Sequence, residues 1–156
     1  MLKMETGMFK IAICDDNPKD IEVIKIIVEK FLDEKELSYS VTEFQTGEDL
    51  INSLEDFNVV FLDIVMGRGI NGINAGKKFH NFNKNTKIIY TTSFAQYCEQ
   101  AINNVHAFGY LTKPIEKELI INQLEDVLDL IDREKAEKPI ISFEIIECLQ
   151  EIMVHK

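Results

Sequence analysis

Short apolar runs alternate along this chain with stretches of helical periodicity. Phe9 to Cys14 is the first run, and Tyr39 to Phe44 is a second, more polar one that suits a sheet edge. Val59 to Leu62 is apolar throughout, as expected of a strand buried on both faces. Lys87 to Thr91 and Ala107 to Leu111 complete the set. Between the first two runs, Ile21, Ile24, Val28 and Phe31 recur at helical spacing, with Asn17 and Pro18 placed as N-cap and first helical residue. Gly47 to Leu54, Asn71 to Phe82 (weakened by Gly72 and Gly76) and Phe94 to Asn104 predict three further helices. Ile120, Leu124, Val127 and Ile131 form the clearest stripe, with Pro114 just ahead of it. Strand–helix alternation of this kind predicts an α/β domain whose parallel sheet is covered on both faces. Ligands of such sheets bind outside the carboxyl ends of the strands.

A chain of 156 residues suits one domain with a single core. The run 132–139 is charged and ends in Pro139, which reads as a linker or a frayed helix end. Ile140 to Lys156 is apolar and patterned but too short for a core of its own. Two readings of it stand: the first strand and linker of a further domain, which is the one preferred, or an extra element packed back on the first domain.

With 46% apolar and 28% charged residues the composition is that of an ordinary globular domain. No apolar run is long enough to span a bilayer, and Met1 to Met8 does not read as a signal peptide, so a cytoplasmic, non-membrane protein is expected. Cys14, Cys98 and Cys148 are too few and too scattered for a disulfide framework or a zinc site, and His80, His106 and His155 show no ligand spacing. The net charge of −10 argues against nucleic-acid binding by this chain itself.

The chemistry gathers at the carboxyl edge of the predicted sheet. Asp15 and Asp16 follow the first strand, Asp63 ends the third, Thr92 follows the fourth and Lys113 the fifth. Converging carboxylates repel one another unless a cation joins them, and hard oxygen ligands suit Mg²⁺ or Mn²⁺. A hydroxyl and an ammonium facing that site are donors suited to phosphoryl oxygens, and a carboxylate beside a metal can attack phosphorus. Each residue alone has a bland reading: Asp15 and Asp16 as first-turn helix acids, Thr92 as a strand former, Lys113 and Pro114 as a turn. Agreement of residue type, order and strand-end placement is what lifts the set above those readings.

On these residues the chain resembles the receiver domains of two-component response regulators. The matching stretches are Ile-Ala-Ile-Cys-Asp-Asp-Asn from Ile11, Val-Val-Phe-Leu-Asp-Ile from Val59, Ile-Ile-Tyr-Thr-Thr-Ser from Ile88 and Ala-Phe-Gly-Tyr-Leu-Thr-Lys-Pro from Ala107. The stretch from His106 to Pro114 looks most like the LytTR class, whose output domain binds DNA. The resemblance implies a flavodoxin-like, doubly wound, five-stranded parallel sheet of order 2-1-3-4-5. It divides the chain into an N-terminal extension (1–7), a receiver domain (8–132) and a linker with a short C-terminal segment (133–156), which in the preferred reading begins an output domain. It makes Asp63 the phosphoacceptor, with Asp15, Asp16, Asp63 and the main-chain carbonyl of Val65 as Mg²⁺ (or Mn²⁺) ligands. Lys113 would pair with the phosphoryl group, its peptide bond to Pro114 would be cis, and Thr92 and Tyr110 would form the switch, beside a small residue at Ser93. Thr91 is the alternative to Thr92. Phe108 reads as core. Implied partners are a sensor histidine kinase, an output domain or downstream protein, and a second copy docked through the fourth helix, fifth strand and fifth helix. The implied output is transcription.

The sequence departs from the family pattern in one loop. Gly67 stands where the family usually has proline, the stretch Gly67 to Gly72 is one residue longer than usual, and this predicts a mobile loop from which Arg68 could reach the site or a partner. Val65 offers no polar side chain to an attacking water, which predicts slow loss of a phosphoryl group. Val65 also counts against a metal-dependent phosphohydrolase, which typically has a second Asp at that position as general acid. A receiver-like interaction module that has lost phosphorylation usually lacks an acidic residue or the lysine, and none is missing here.

Overall fold

The computed structural model describes residues 7–67, 69–97, 103 and 107–154, and side chains as far as residue 136. The elements are β1 (Phe9–Cys14), α1 (Pro18–Glu34), β2 (Tyr39–Phe44), α2 (Gly47–Asn52), β3 (Val59–Asp63), α3 (Gly72–Phe82), β4 (Lys87–Thr92), β5 (Ala107–Thr112) and α4 (Lys117–Val154). Most of the helix expected from Phe94 to Asn104 lies outside the described residues, as do Arg68, Cys98, His106 and His155 and the Cys148 side chain.

All five strands are parallel, in the order β2-β1-β3-β4-β5 that the sequence resemblance implies. β3 is buried along its whole length because it lies inside the sheet, while β2, at one edge, is only half-buried. Alternation along the strands divides the core in two. Ala12, Cys14, Val60, Leu62, Ile88 and Tyr90 pack with Leu50 of α2 and Ala75 and Phe79 of α3. Ile11, Ile13, Val59, Phe61 and Ile89 occupy the other face and are fully buried. On α1, which packs on β1 and β2, the residues Ile21, Ile24, Val28, Phe31 and Leu32 are buried. Burial pushes the Cys14 thiol up to about 12, helped by the charges of Asp15 and Asp63, so this cysteine is an inert core group that donates to the Thr46 carbonyl at 3.3 Å.

Two helix starts matter for the site. Asn17 caps α1 by accepting from the Lys19 amide at 3.0 Å, with Pro18 as the first helical residue. Asn71 caps α3 by accepting from Asn74 at 2.9 Å. Gly72, next in line, donates its N–H to the Ile64 carbonyl at 2.8 Å, and a Cβ there would collide with the main-chain carbonyl of Asp63. Gly72→Ala is therefore expected to destabilise the fold by about 3 kcal/mol, because the obstacle is backbone that cannot swing aside. A lower urea midpoint would show this, and an unchanged midpoint would contradict the packing described.

The C-terminal segment differs from its sequence expectation. In place of a linker and strand, the backbone is helical from Lys117 through Pro139 to Val154. Residues Glu134, Lys135, Ala136, Glu137 and Lys138 are good helix formers, and their propensity outweighs the linker signal of the charged run. The chain divides inside this helix into two compact units, Met1–Gln123 and Leu124–Lys156. Among the described residues no helix is long and apolar enough to cross a membrane.

Candidate functional site

The carboxyl edge of the sheet brings the sequence-predicted residues together. Asp15 extends β1 by one residue, its N–H donating to the Phe44 carbonyl at 3.0 Å, so its carboxylate is set at the sheet edge. The Asn17 N–H then donates to Asp15 Oδ1 at 2.9 Å. Asp63 closes β3, and the next residue, Ile64, still donates to the Thr91 carbonyl at 2.9 Å. Asp15 and Asp63 are almost fully buried, whereas Asp16 is exposed. Oxygens of all three carboxylates lie within 4.8 Å of one another.

Lys113 enters from the end of β5. Its N–H donates to the Thr92 carbonyl at 2.7 Å and its bond to Pro114 is cis, as the resemblance implies. Its ammonium donates to Asp15 Oδ2 at 2.7 Å and to Asp20 Oδ2 at 2.9 Å, and lies 3.5 Å from Asp63 Oδ1. Burial tends to lower the Lys113 pKa, but the hydrogen bonds it donates to Asp15 and Asp20 and the Asp63 charge raise it above the ordinary lysine range. Asp63 goes the other way: burial and the neighbouring Asp15 charge push its carboxyl up to about 7, against the pull of Lys113.

Asp63 is thus both buried and crowded by the Asp15 charge, which the one ammonium only partly offsets. A donor set of clustered carboxylates, two of them buried, fits a hard divalent cation, and Asp15, Asp16 and Asp63 are the side chains able to hold it.

Thr91 is the register partner of Asp63, and Thr92 lies one residue further along β4. Both are buried, and the Thr92 hydroxyl accepts from the Phe94 amide at 3.1 Å. Tyr110, in the middle of β5, is 40% exposed, so its ring is on the outside in this state. Ser93 and Val65 are exposed too.

The model family of response regulator receiver domains matches residues 11–125. The chain belongs to that family. Among curated relatives, the sensory transduction protein LytT of Oceanobacillus iheyensis is 32% identical over 114 residues, covering 70% of this chain and 46% of that protein. The accessory gene regulator protein A of Staphylococcus aureus is 30% identical over 91 residues, 56% of this chain and 38% of that one. The chain thus spans less than half the length of these two relatives. Among solved structures, the BeF3-activated DrrB receiver domain aligns with a TM-score of 0.64 at 27% identity, over 79% of this chain and 99% of that one. A CheY-like receiver domain from Methanospirillum hungatei has a TM-score of 0.70 at 23% identity, over 82% and 99%, and shows the shared fold.

Within this receiver domain, two features of the site are not foreseen from sequence. The Gly67 N–H donates to Asp16 Oδ2 at 2.7 Å, and the Ile70 N–H donates to Glu48 Oε2 at 3.0 Å. The loop expected to be loose is therefore held at two points. The family's usual proline has no N–H and could not make the first of these bonds. Gly69 takes a positive φ of 75°, where a Cβ would also strike the Glu48 carboxylate. The second unforeseen feature is Asp20, in the first turn of α1, which shares Lys113 with Asp15. Its sequence signal is its place as the acidic residue in the first turn of α1.

Proposed function

We propose that Asp63 accepts a phosphoryl group from the phosphohistidine of a sensor histidine kinase, and that the receiver then switches an output. The observation that carries this reading is the buried Asp63 carboxylate, crowded by Asp15 and faced by the Lys113 ammonium. Asp15, Asp16, Asp63 and the main-chain carbonyl of Val65 would hold Mg²⁺ (or Mn²⁺). When bound, the ion supplies positive charge that offsets the charge gathering on the phosphoryl oxygens.

In the transfer a carboxylate oxygen of Asp63 forms the bond to phosphorus, and the bond from phosphorus to the donor imidazole nitrogen breaks. The imidazole keeps the electron pair and takes up a proton. Lys113 turns from carboxylate partners to a phosphoryl oxygen. Thr92 is the hydroxyl assigned to a second oxygen, on the strength of the aligned Ile88-Ile89-Tyr90 stretch. Its hydroxyl, now receiving the Phe94 amide, would turn to donate, and Tyr110 would move inward behind it. The chain catalyses its own modification, with slow loss of the phosphoryl group because Val65 offers an attacking water no polar group. Val65 equally leaves a phosphohydrolase without a general acid.

The readout face in this proposal comprises the 94–104 segment, β5 and the start of α4, and a second copy docks there. Residues 8–132 form the receiver and 133–156 lead toward an output domain or downstream protein. The proposed location is the cytoplasm, and the name of one curated relative, the transcriptional regulatory protein ComA of Bacillus subtilis, supports a transcriptional output. DNA contact would belong to that output domain and not to this acidic chain.

A phosphorylated histidine kinase domain carrying radiolabel provides the test. Label is expected to pass to this chain with Mg²⁺ present and to stay on the kinase when EDTA is added. Transfer that is indifferent to EDTA would count against the metal-assisted reading.

A further inference from the structure

Lys113 is shared among three carboxylates, and the distances rank them. Asp15 at 2.7 Å and Asp20 at 2.9 Å hold the ammonium, while Asp63 at 3.5 Å is the farthest. Asp15 belongs to the carboxylate cluster able to hold a metal, but Asp20 does not. Asp20 is set by a different element, in the first turn of α1, behind the Asn17 cap and Pro18. Backbone amides at that helix end favour a negative charge there. The Asp20 side chain is one third exposed (34%), so water can solvate its charge when the lysine leaves, whereas the Asp15 side chain, at 1%, has no such recourse.

We propose that Asp20 is a positioning residue that holds the Lys113 ammonium away from Asp63 and competes with an incoming phosphoryl group for it. Reaching a phosphoryl group on Asp63 requires Lys113 to give up or stretch its bond to Asp20. That lost charge-assisted hydrogen bond weakens the hold of the site on the phosphoryl group. Asp20 thus sets how tightly the phosphorylated form is kept, without touching the reacting atoms. This inference rests on Asp63 being the phosphoacceptor.

The test is binding of beryllofluoride, a phosphoryl mimic, to the full chain at saturating Mg²⁺, measured by calorimetry. Asp20→Ala is expected to bind it about tenfold tighter than wild type, the lower range for one hydrogen bond to a charged group. Asp20→Asn keeps an oxygen acceptor at the helix end and serves if the alanine variant folds poorly; it is expected to tighten binding by a smaller factor. Asp20→Glu restores the charge and is expected to return affinity toward the wild-type value. Were Asp20 only a helix-end acid, these substitutions would move the thermal midpoint and leave beryllofluoride affinity alone. Unchanged or weaker binding by both Asp20→Ala and Asp20→Asn overturns the inference while leaving the phosphoacceptor reading intact. Failure of the wild type itself to bind beryllofluoride overturns that reading, and the inference with it.

Discussion

Asp63→Asn is expected to stabilise the metal-free protein at pH 8, raising its thermal midpoint by roughly 5–10 °C. The argument is one of proton linkage. Asp63 titrates from an ordinary carboxyl value of 3.8 in the unfolded chain and from about 7 in the folded one. A carboxyl group whose folded pKa is raised binds its proton more tightly in the native state. Between these two values the folded protein holds more protons than the unfolded one, so stability falls as pH rises. Above about 7 the cost of an ionised, buried Asp63 is fully present. Asparagine never ionises and escapes it. The gap between variant and wild type should therefore close as the pH is lowered toward 4, and Mg²⁺ should narrow it at pH 8 by stabilising the wild type more. Thermal melts across that pH range with EDTA, and again with Mg²⁺, check each part. A metal-free Asp63→Asn that melts below wild type at pH 8 would contradict the electrostatic account of the site.

Lys113→Ala should act in the opposite sense. Its ammonium is set against Asp15, Asp20 and Asp63, two of which are buried. Removing one partner of a buried ion pair leaves uncompensated charge, which costs about 3–5 kcal/mol. That loss is expected in the metal-free protein at neutral pH. It should shrink in acid, where the carboxyl groups accept protons, and Mg²⁺ should recover part of it by taking over neutralisation. Urea unfolding with and without Mg²⁺ measures it. A loss that Mg²⁺ does not touch would mean that lysine and metal serve separate sites.

The sheet and the main site were legible because both depend on local signals. Each strand is a short apolar run, and each site residue stands where such a run ends: Asp15 and Asp16 after Cys14, Asp63 after Leu62, Lys113 after Thr112. Parallel topology then carries all of them to one edge. What escaped depends on distance in the chain or on backbone groups. Asp20 meets Lys113 only in the fold, being 93 residues away along the chain. Gly67 acts through an N–H, which has no side-chain signature, and so its departure from proline read only as looseness. The length of the C-terminal helix was less legible, because Pro139 and the charges before it are linker signals. The helix propensity of Glu134 to Lys138 competes with those signals at the same positions, and here it prevails. Thr91 and Thr92 are adjacent, buried and chemically alike, so spacing alone could not separate them.

The central claim is that Asp63 takes the phosphoryl group. Intact mass after incubation with a small acyl phosphate and Mg²⁺, wild type beside Asp63→Asn, tests it most directly. One phosphoryl group is expected on the wild type and none on the variant; equal labelling of the two proteins would contradict the account.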